Sequence, residues 1–113
     1  HVNAPMLRDL VREVMPQRAV IEAVGARPGQ GVTSMFSFGR GLGVVEGVLG
    51  AMLIPVDYLA PQTWRGRVKL RGDKAEARGL ATRTWPSHAG SFSKVKDDGK
   101  AEAALIALAA VLQ

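Results

Sequence analysis

Lys96-Asp97-Asp98-Gly99-Lys100-Ala101-Glu102, continued by Ala103-Ala104-Leu105-Ile106-Ala107-Leu108-Ala109-Ala110, is the stretch on which the reading of this chain turns. Its alanines and leucines predict a final helix from near Asp98 to Leu112. Three carboxylates crowd the start of that helix, and the macrodipole with its free amides explains part of that clustering. Asp98 and Glu102, however, stand four residues apart and so share one face. If the helix lies on a sheet, the pair sits at the end where a metal could be held. Glu22, far away in sequence, interrupts the otherwise apolar run Ala19-Val20-Ile21-Glu22-Ala23-Val24. The organising expectation is that Glu22, Asp98 and Glu102 meet around divalent metal.

Length and composition bound what can surround such a site. The 113 residues suit one domain, 1–113, with a core but little to spare. The chain is 47% hydrophobic and 22% charged, which marks it as globular rather than disordered. Aromatic residues are sparse, so alanine, valine and leucine must build the core. The absence of cysteine excludes a disulfide framework and thiolate metal sites, and favours a reducing, cytoplasmic setting. No apolar run reaches the roughly 18 residues that a membrane span needs, so no membrane partner is expected. The net charge of +5 suits a polyanion, and its distribution says more than its size. Arg65, Arg67, Lys69, Arg71, Lys74, Arg78 and Arg83 crowd together, and Lys94, Lys96 and Lys100 follow. A solvated face and a phosphate-tracking surface both account for this run.

Asn3 is placed to cap a first helix with Pro5 in its opening turn, and Pro16 ends it. Arg18 to Val24 reads as an interior strand of a mostly parallel sheet, apolar on both faces. A carboxylate buried there costs several kcal/mol unless paired or metal-bound, so Glu22 is either a ligand or lies near the strand's exposed end beside an arginine. Gly25 to Gly31 is a loop. Thr33 or Ser34 then caps a long helix reaching about Met52. Gly39, Gly43 and Gly47 form a stripe along it, and each mid-helix glycine costs roughly 1 kcal/mol relative to alanine. So many glycines imply close backbone approach, and the apolar circumference implies burial on two sides, with a homodimer partner across the 34–52 helix. Gly39-Arg40-Gly41-Leu42-Gly43 is not a dinucleotide loop, because Val44 stands where the third glycine belongs. Ile54 to Leu59 reads as a second strand, Pro61 to Arg65 as a helical turn, and Lys74 to Trp85 as a helix. In that helix Leu80, Ala81, Thr84 and Trp85 are expected inside, with Lys74, Arg78 and Arg83 outside. Strands alternating with helices give an α/β class with parallel pairing.

The chemistry available is narrow. His88 is the single internal histidine and sits in a loop, so a serine triad and a zinc site are both disfavoured. Carboxylates with Mg²⁺ or Mn²⁺ remain. Two such ions roughly 4 Å apart activate water and stabilise a leaving phosphodiester oxygen.

On these residues the chain resembles the RuvC-type Holliday junction resolvases. Val20-Ile21-Glu22 followed by Ser34-Met35-Phe36-Ser37-Phe38-Gly39-Arg40-Gly41-Leu42-Gly43 carries the likeness first. Tyr58 to Trp64, Val68-Lys69 and Gly72-Asp73-Lys74-Ala75-Glu76 continue it, and Lys96 to Ala107 completes it. The Asp-Asp-Gly-Lys-Ala-Glu form looks most like phage and prophage members. The resemblance implies a ribonuclease H-like three-layer α/β fold and a dimeric, Mg²⁺-dependent endonuclease that cuts branched DNA in a bacterial or phage-infected cell. Glu22 would be the strand carboxylate, and Asp98 and Glu102 the helix carboxylates. Many members space the helix acids three apart rather than four, which leaves Asp97 as the other candidate for the first helix ligand. Arg27 and Gln30 in the loop, and Arg65, Lys69, Arg71, Lys74, Arg78, Lys94 and Lys96, would contact DNA.

One departure stands out. The family opens on a strand bearing an aspartate in a Gly-Ile-Asp-Pro-Gly-like motif, and nothing here matches it. The expectation is a C-terminal portion of a resolvase without its first strands, begun at His1 and impaired in metal binding and cleavage. The alternative function is a non-catalytic module of the same fold that binds branched DNA or dimerises.

Overall fold

The computed structural model describes residues 2–25 and 29–112. It is α/β but mostly helical, with one two-stranded parallel sheet. The backbone divides into two compact units, His1–Tyr58 and Leu59–Gln113.

In the first unit, α1 spans Ala4–Val14. Asn3 caps it as expected, its side chain accepting from the Met6 amide at 3.0 Å, with Pro5 in the first turn. Met15 closes it in the left-handed conformation (φ 51°), its amide donating to the Val11 carbonyl at 2.7 Å. Strand β1 covers Ala19–Glu22 and pairs with β2, Val56–Leu59. The Ala19 amide donates to the Pro55 carbonyl at 2.9 Å, and Arg18 pairs with Asp57 at 3.1 Å. All four residues of β1 are half-buried. The expectation of a strand buried on both faces is therefore corrected: with two strands in the sheet, too little structure covers β1, and Glu22 falls at its last position.

Helix α2 runs Val32–Ala51. Its N-cap is Gly31, not Thr33 or Ser34, and Gly31 gives no side-chain hydrogen bond. The Met35 amide donates to the Gly31 carbonyl at 3.0 Å, while the Ser34 hydroxyl instead accepts from Gln30 at 3.3 Å. Within this unit α2 is covered on one side. α1 packs on α2, yet among the described residues only Leu49 of α2 is fully buried, and Phe36 is 65% exposed. A methyl group placed at Gly39, Gly43 or Gly47 would meet nothing within 4 Å. At Gly41 it would touch a Val2 methyl at an ordinary 3.5 Å. Close backbone approach is not what holds these glycines here.

The second unit contains most of the buried side chains. α3 spans Pro61–Arg67, α4 Lys74–Thr84 and α5 Asp98–Val111, with two short 3-10 turns at Pro86–Ser91 and Val95–Asp97. Asp73 caps α4, accepting from the Glu76 amide at 3.2 Å. α5 packs against both α3 and α4. The core is Trp64, Leu70, Ala77, Ala81, Ala101, Leu105, Ile106 and Ala109. Small side chains on both α4 and α5 let two helices approach closely. Two expectations for α4 change. Thr84 is exposed and turns its hydroxyl back to the Leu80 carbonyl at 2.7 Å, and Arg78 is drawn inward rather than left in solvent. Trp85 is half-buried beside Phe92, with ring centroids 5.8 Å apart.

Trp64, 1% exposed, is the largest fully buried side chain. Trp64→Ala is expected to destabilise the protein by about 3–5 kcal/mol, the usual cost of deleting a large core aromatic, in urea unfolding followed by circular dichroism. Gly43→Ala should do the reverse, adding ~0.5–1 kcal/mol by restricting the unfolded chain without a clash. A loss of stability on Gly43→Ala would show that something packs against the glycine stripe after all.

Candidate carboxylate site and basic surface

The site residues fall in both units. Glu22 belongs to the first, at the end of β1, where it lines a cavity of about 420 Å³ with Ile21, Val24, Ser37, Phe38 and Leu42. Asp98 and Glu102 belong to the second, on the first two turns of α5. The structure brings these two together on the face of α5 turned toward α4. Arg78 donates to Asp98 in a short ion pair whose side chains are 18% and 22% exposed. Lys74 donates to Glu102 at 2.8 Å, with exposures of 64% and 25%. Two cations four residues apart on α4 thus face two carboxylates four residues apart on α5. Lys74, nearer the start of α4, meets the later acid, so the two helices run antiparallel.

Asp97 plays a different part. It is 2% exposed and turns its carboxylate back to the Lys94 backbone in the turn before α5. One oxygen accepts from the Lys94 amide at 3.1 Å, and Lys100 approaches the other at 3.4 Å. The Asp97 amide in turn donates to the Lys94 carbonyl at 2.8 Å. The Lys94 amide, more than any other group, holds the Asp97 carboxyl below the ordinary aspartate value of 3.8; burial opposes this, and Lys100 and Lys96 add to it. A hydrogen bond to the charged form outweighs the desolvation that works against it. Asp97 is thus a structural clasp, and the sequence signal for it was Lys100 three residues on.

The basic segment is also divided by what its members touch. Arg65 donates to the Gly72 carbonyl and lies over the Trp64 ring at 5.5 Å. Arg67 donates to the Ala109 carbonyl at 3.1 Å and so braces α3 against α5. This role was not anticipated, because nothing local in the sequence couples Arg67 to Ala109. Lys69, Arg71, Lys94 and Lys96 are exposed. Lys69 adopts the left-handed conformation (φ 58°) that ends α3, and the chain then turns Leu70 into the core. Arg27 lies outside the described residues. Gln30 is engaged with Ser34 at 3.3 Å. Tyr58 donates a short hydrogen bond to Glu46, which together with burial raises its pKa above 10.0.

Asp98 and Glu102 are oxygen donors one turn apart, part-buried and each paired with a cation of α4. Among the described residues, neither unit gathers three or more histidine and carboxylate side chains into a metal-holding cluster. Among the same residues, no helix is long and apolar enough to cross a membrane. No protein-family model matches the chain, and no curated protein sequence matches it significantly.

The Asp97 clasp has a pH signature. Its lowered pKa means that the unfolded chain takes up the proton first as pH falls, so its stabilising contribution is full above the ordinary carboxylate range and is lost below it. Wild type should therefore exceed Asp97→Asn in melting temperature near neutrality, with the gap closing as pH falls from about 5 to about 2. A gap that stays constant over that range would remove the ionised clasp from the account.

Proposed function

We propose that this chain belongs to a RuvC-like, ribonuclease H-like endonuclease that resolves branched DNA, with Glu22, Asp98 and Glu102 as its acidic centre. The observation that carries the reading is the pair Asp98 and Glu102, held on one face of α5 by Lys74 and Arg78. Isolated capping acids would point to water or to the helix's own amides. These two instead line up with a second helix in partial burial. The order of motifs from Val20 to Ala107 supports the same reading, as does the net charge of +5. In this reading Asp98, not the inward-turned Asp97, is the helix carboxylate that works with Glu102.

Each group has a part. Asp98 and Glu102 would hold Mg²⁺ or Mn²⁺ with Glu22, and the bound ion would supply water activation and charge stabilisation for phosphodiester hydrolysis. The exposed Lys69, Arg71, Lys94 and Lys96 would track the backbone phosphates, giving affinity that falls with salt. Arg65 and Arg67, tied to backbone carbonyls, would act mainly by holding the second unit in shape. A second copy across the 34–52 helix would supply the other half of a two-fold cut. The exposed Phe36 and Phe38 of that helix are consistent with such a contact. Such a protein would work in the cytoplasm of a bacterial or phage-infected cell.

A labelled four-way junction tests the proposal. The protein is expected to bind it at least tenfold more tightly than linear duplex, about 1.4 kcal/mol. Any Mg²⁺-dependent nicking should disappear in Glu22→Gln and Glu102→Gln. Junction binding without nicking, unchanged in both variants, would favour the non-catalytic module of the same fold. Equal handling of duplex and junction would end the claim of branch selectivity.

A further inference from the structure

Lys94, Val95 and Lys96 lie at the 3-10 turn that leads directly into α5. All three are exposed, and Val95, at 72%, stands between the two lysines. Single exposed valines are ordinary on a protein surface, so exposure alone distinguishes nothing. What sets this one apart is how firmly its turn is held. The buried Asp97 carboxylate accepts from the Lys94 amide at 3.1 Å, and the Asp97 amide donates to the Lys94 carbonyl at 2.8 Å. The two ends of the turn are thereby pinned to each other. Upstream, the half-buried Phe92 rests beside Trp85, with ring centroids 5.8 Å apart. Downstream, the chain enters α5 at Asp98.

A turn anchored on both sides presents its tip without the ordering cost that a free loop meets on binding. The tip carries two chemistries. Lys94 and Lys96 attract phosphates, and such contacts give affinity for any duplex but do not read its bases. Val95 offers a branched apolar surface, which water rewards only when something apolar covers it. The faces of nucleobases are apolar, and architectural DNA-binding proteins insert apolar side chains between base steps in the same way. In linear duplex every step is stacked, so insertion must first break stacking. At a branch the stack is already interrupted, and a base face is open to contact.

Resting on the branched-DNA reading above, we infer that the turn from Lys94 to Lys96 distinguishes a branch from linear duplex. Lys94 and Lys96 hold phosphates on either side, and Val95 packs on a base face left open where the stack is interrupted. Asp97 is the positioning residue that keeps the tip in shape. The turn precedes Asp98 directly in the chain, so a branch held on it lies at the entrance to α5.

Fluorescence anisotropy with a labelled four-way junction and a linear duplex of the same composition tests this, without divalent ion so that no cleavage intervenes. Val95→Ser should weaken junction binding severalfold and leave duplex binding nearly unchanged, with a melting curve confirming the fold. Val95→Ile, which keeps the apolar surface, should retain the preference for the junction. Val95→Lys adds a cation at the same place, and should tighten duplex binding while losing that preference. Lys96→Gln should weaken both DNAs alike and lower the slope of log affinity against log salt by about one. A junction preference that survives Val95→Ser or Val95→Lys overturns the role of Val95 and leaves the branched-DNA reading standing. Equal losses on junction and duplex in Val95→Ser make Val95 a general contact and overturn its part in discrimination. Wild-type protein that binds the two DNAs equally overturns the branched-DNA reading itself, and the role of the turn with it.

Discussion

The close packing of α4 on α5 is the constraint on which the rest of the second unit depends. Ala77 and Ala81 on one helix, and Ala101, Leu105 and Ala109 on the other, are all but removed from solvent. Alanine presents little more than a methyl group, so the two backbones can approach toward the short end of helix–helix distances. That approach brings Lys74 and Arg78 within reach of Glu102 and Asp98. Bulkier residues at the seam would push the helices apart and leave four charges in water, where exposed pairs contribute little. The ion-pair ladder is thus a consequence of hydrophobic packing more than its cause. Trp64 of α3 is buried in the same unit, and Arg67 ties α3 to the end of α5 through the Ala109 carbonyl.

The first unit is built on a thinner basis. Val11 and Leu49 are its fully buried side chains among the described residues, and its sheet has two strands. Exposed caps and pairs mark its margins: Asn3 on α1, Arg18 with Asp57, and Tyr58 with Glu46. The apolar circumference of α2 meets α1 on one side and is left largely in solvent elsewhere. Glu22 sits among half-buried neighbours, a setting less hostile to charge than the interior strand that the sequence suggests. Glu22 lies beside an apolar cavity of the first unit, and Asp98 and Glu102 lie in a cationic ladder of the second.

Much of this was legible in the residues. The capped first helix, both strands, the turn at Pro61, and the α4 and α5 helices follow from local signals, because proline, cap residues and periodicity act over a few positions. Asp98 and Glu102 share a face for the same local reason. The errors arose where a local pattern was asked to report on a neighbour. The caps of α2 were misplaced, because Gly31 rather than a hydroxyl residue opens it. Arg78 reads as a surface cation, and so it would be without Asp98 opposite. The matching spacings, four between Lys74 and Arg78 and four between Asp98 and Glu102, were a usable signal, though spacing alone does not say which helices meet.

The sequence by itself determined roughly where most helices and both strands fall, that the chain is basic and without cysteine, and that two acids lie one turn apart at the head of an alanine-rich helix. These follow from backbone sterics, capping and side-chain periodicity, which act within a turn or two of the residue concerned. Tertiary structure alone decided that Asp98 and Glu102 face cations of α4 and that Arg67 serves a carbonyl forty-two residues away. Contacts of that kind depend on how closely two helices pack, and the identity of no single residue carries that distance.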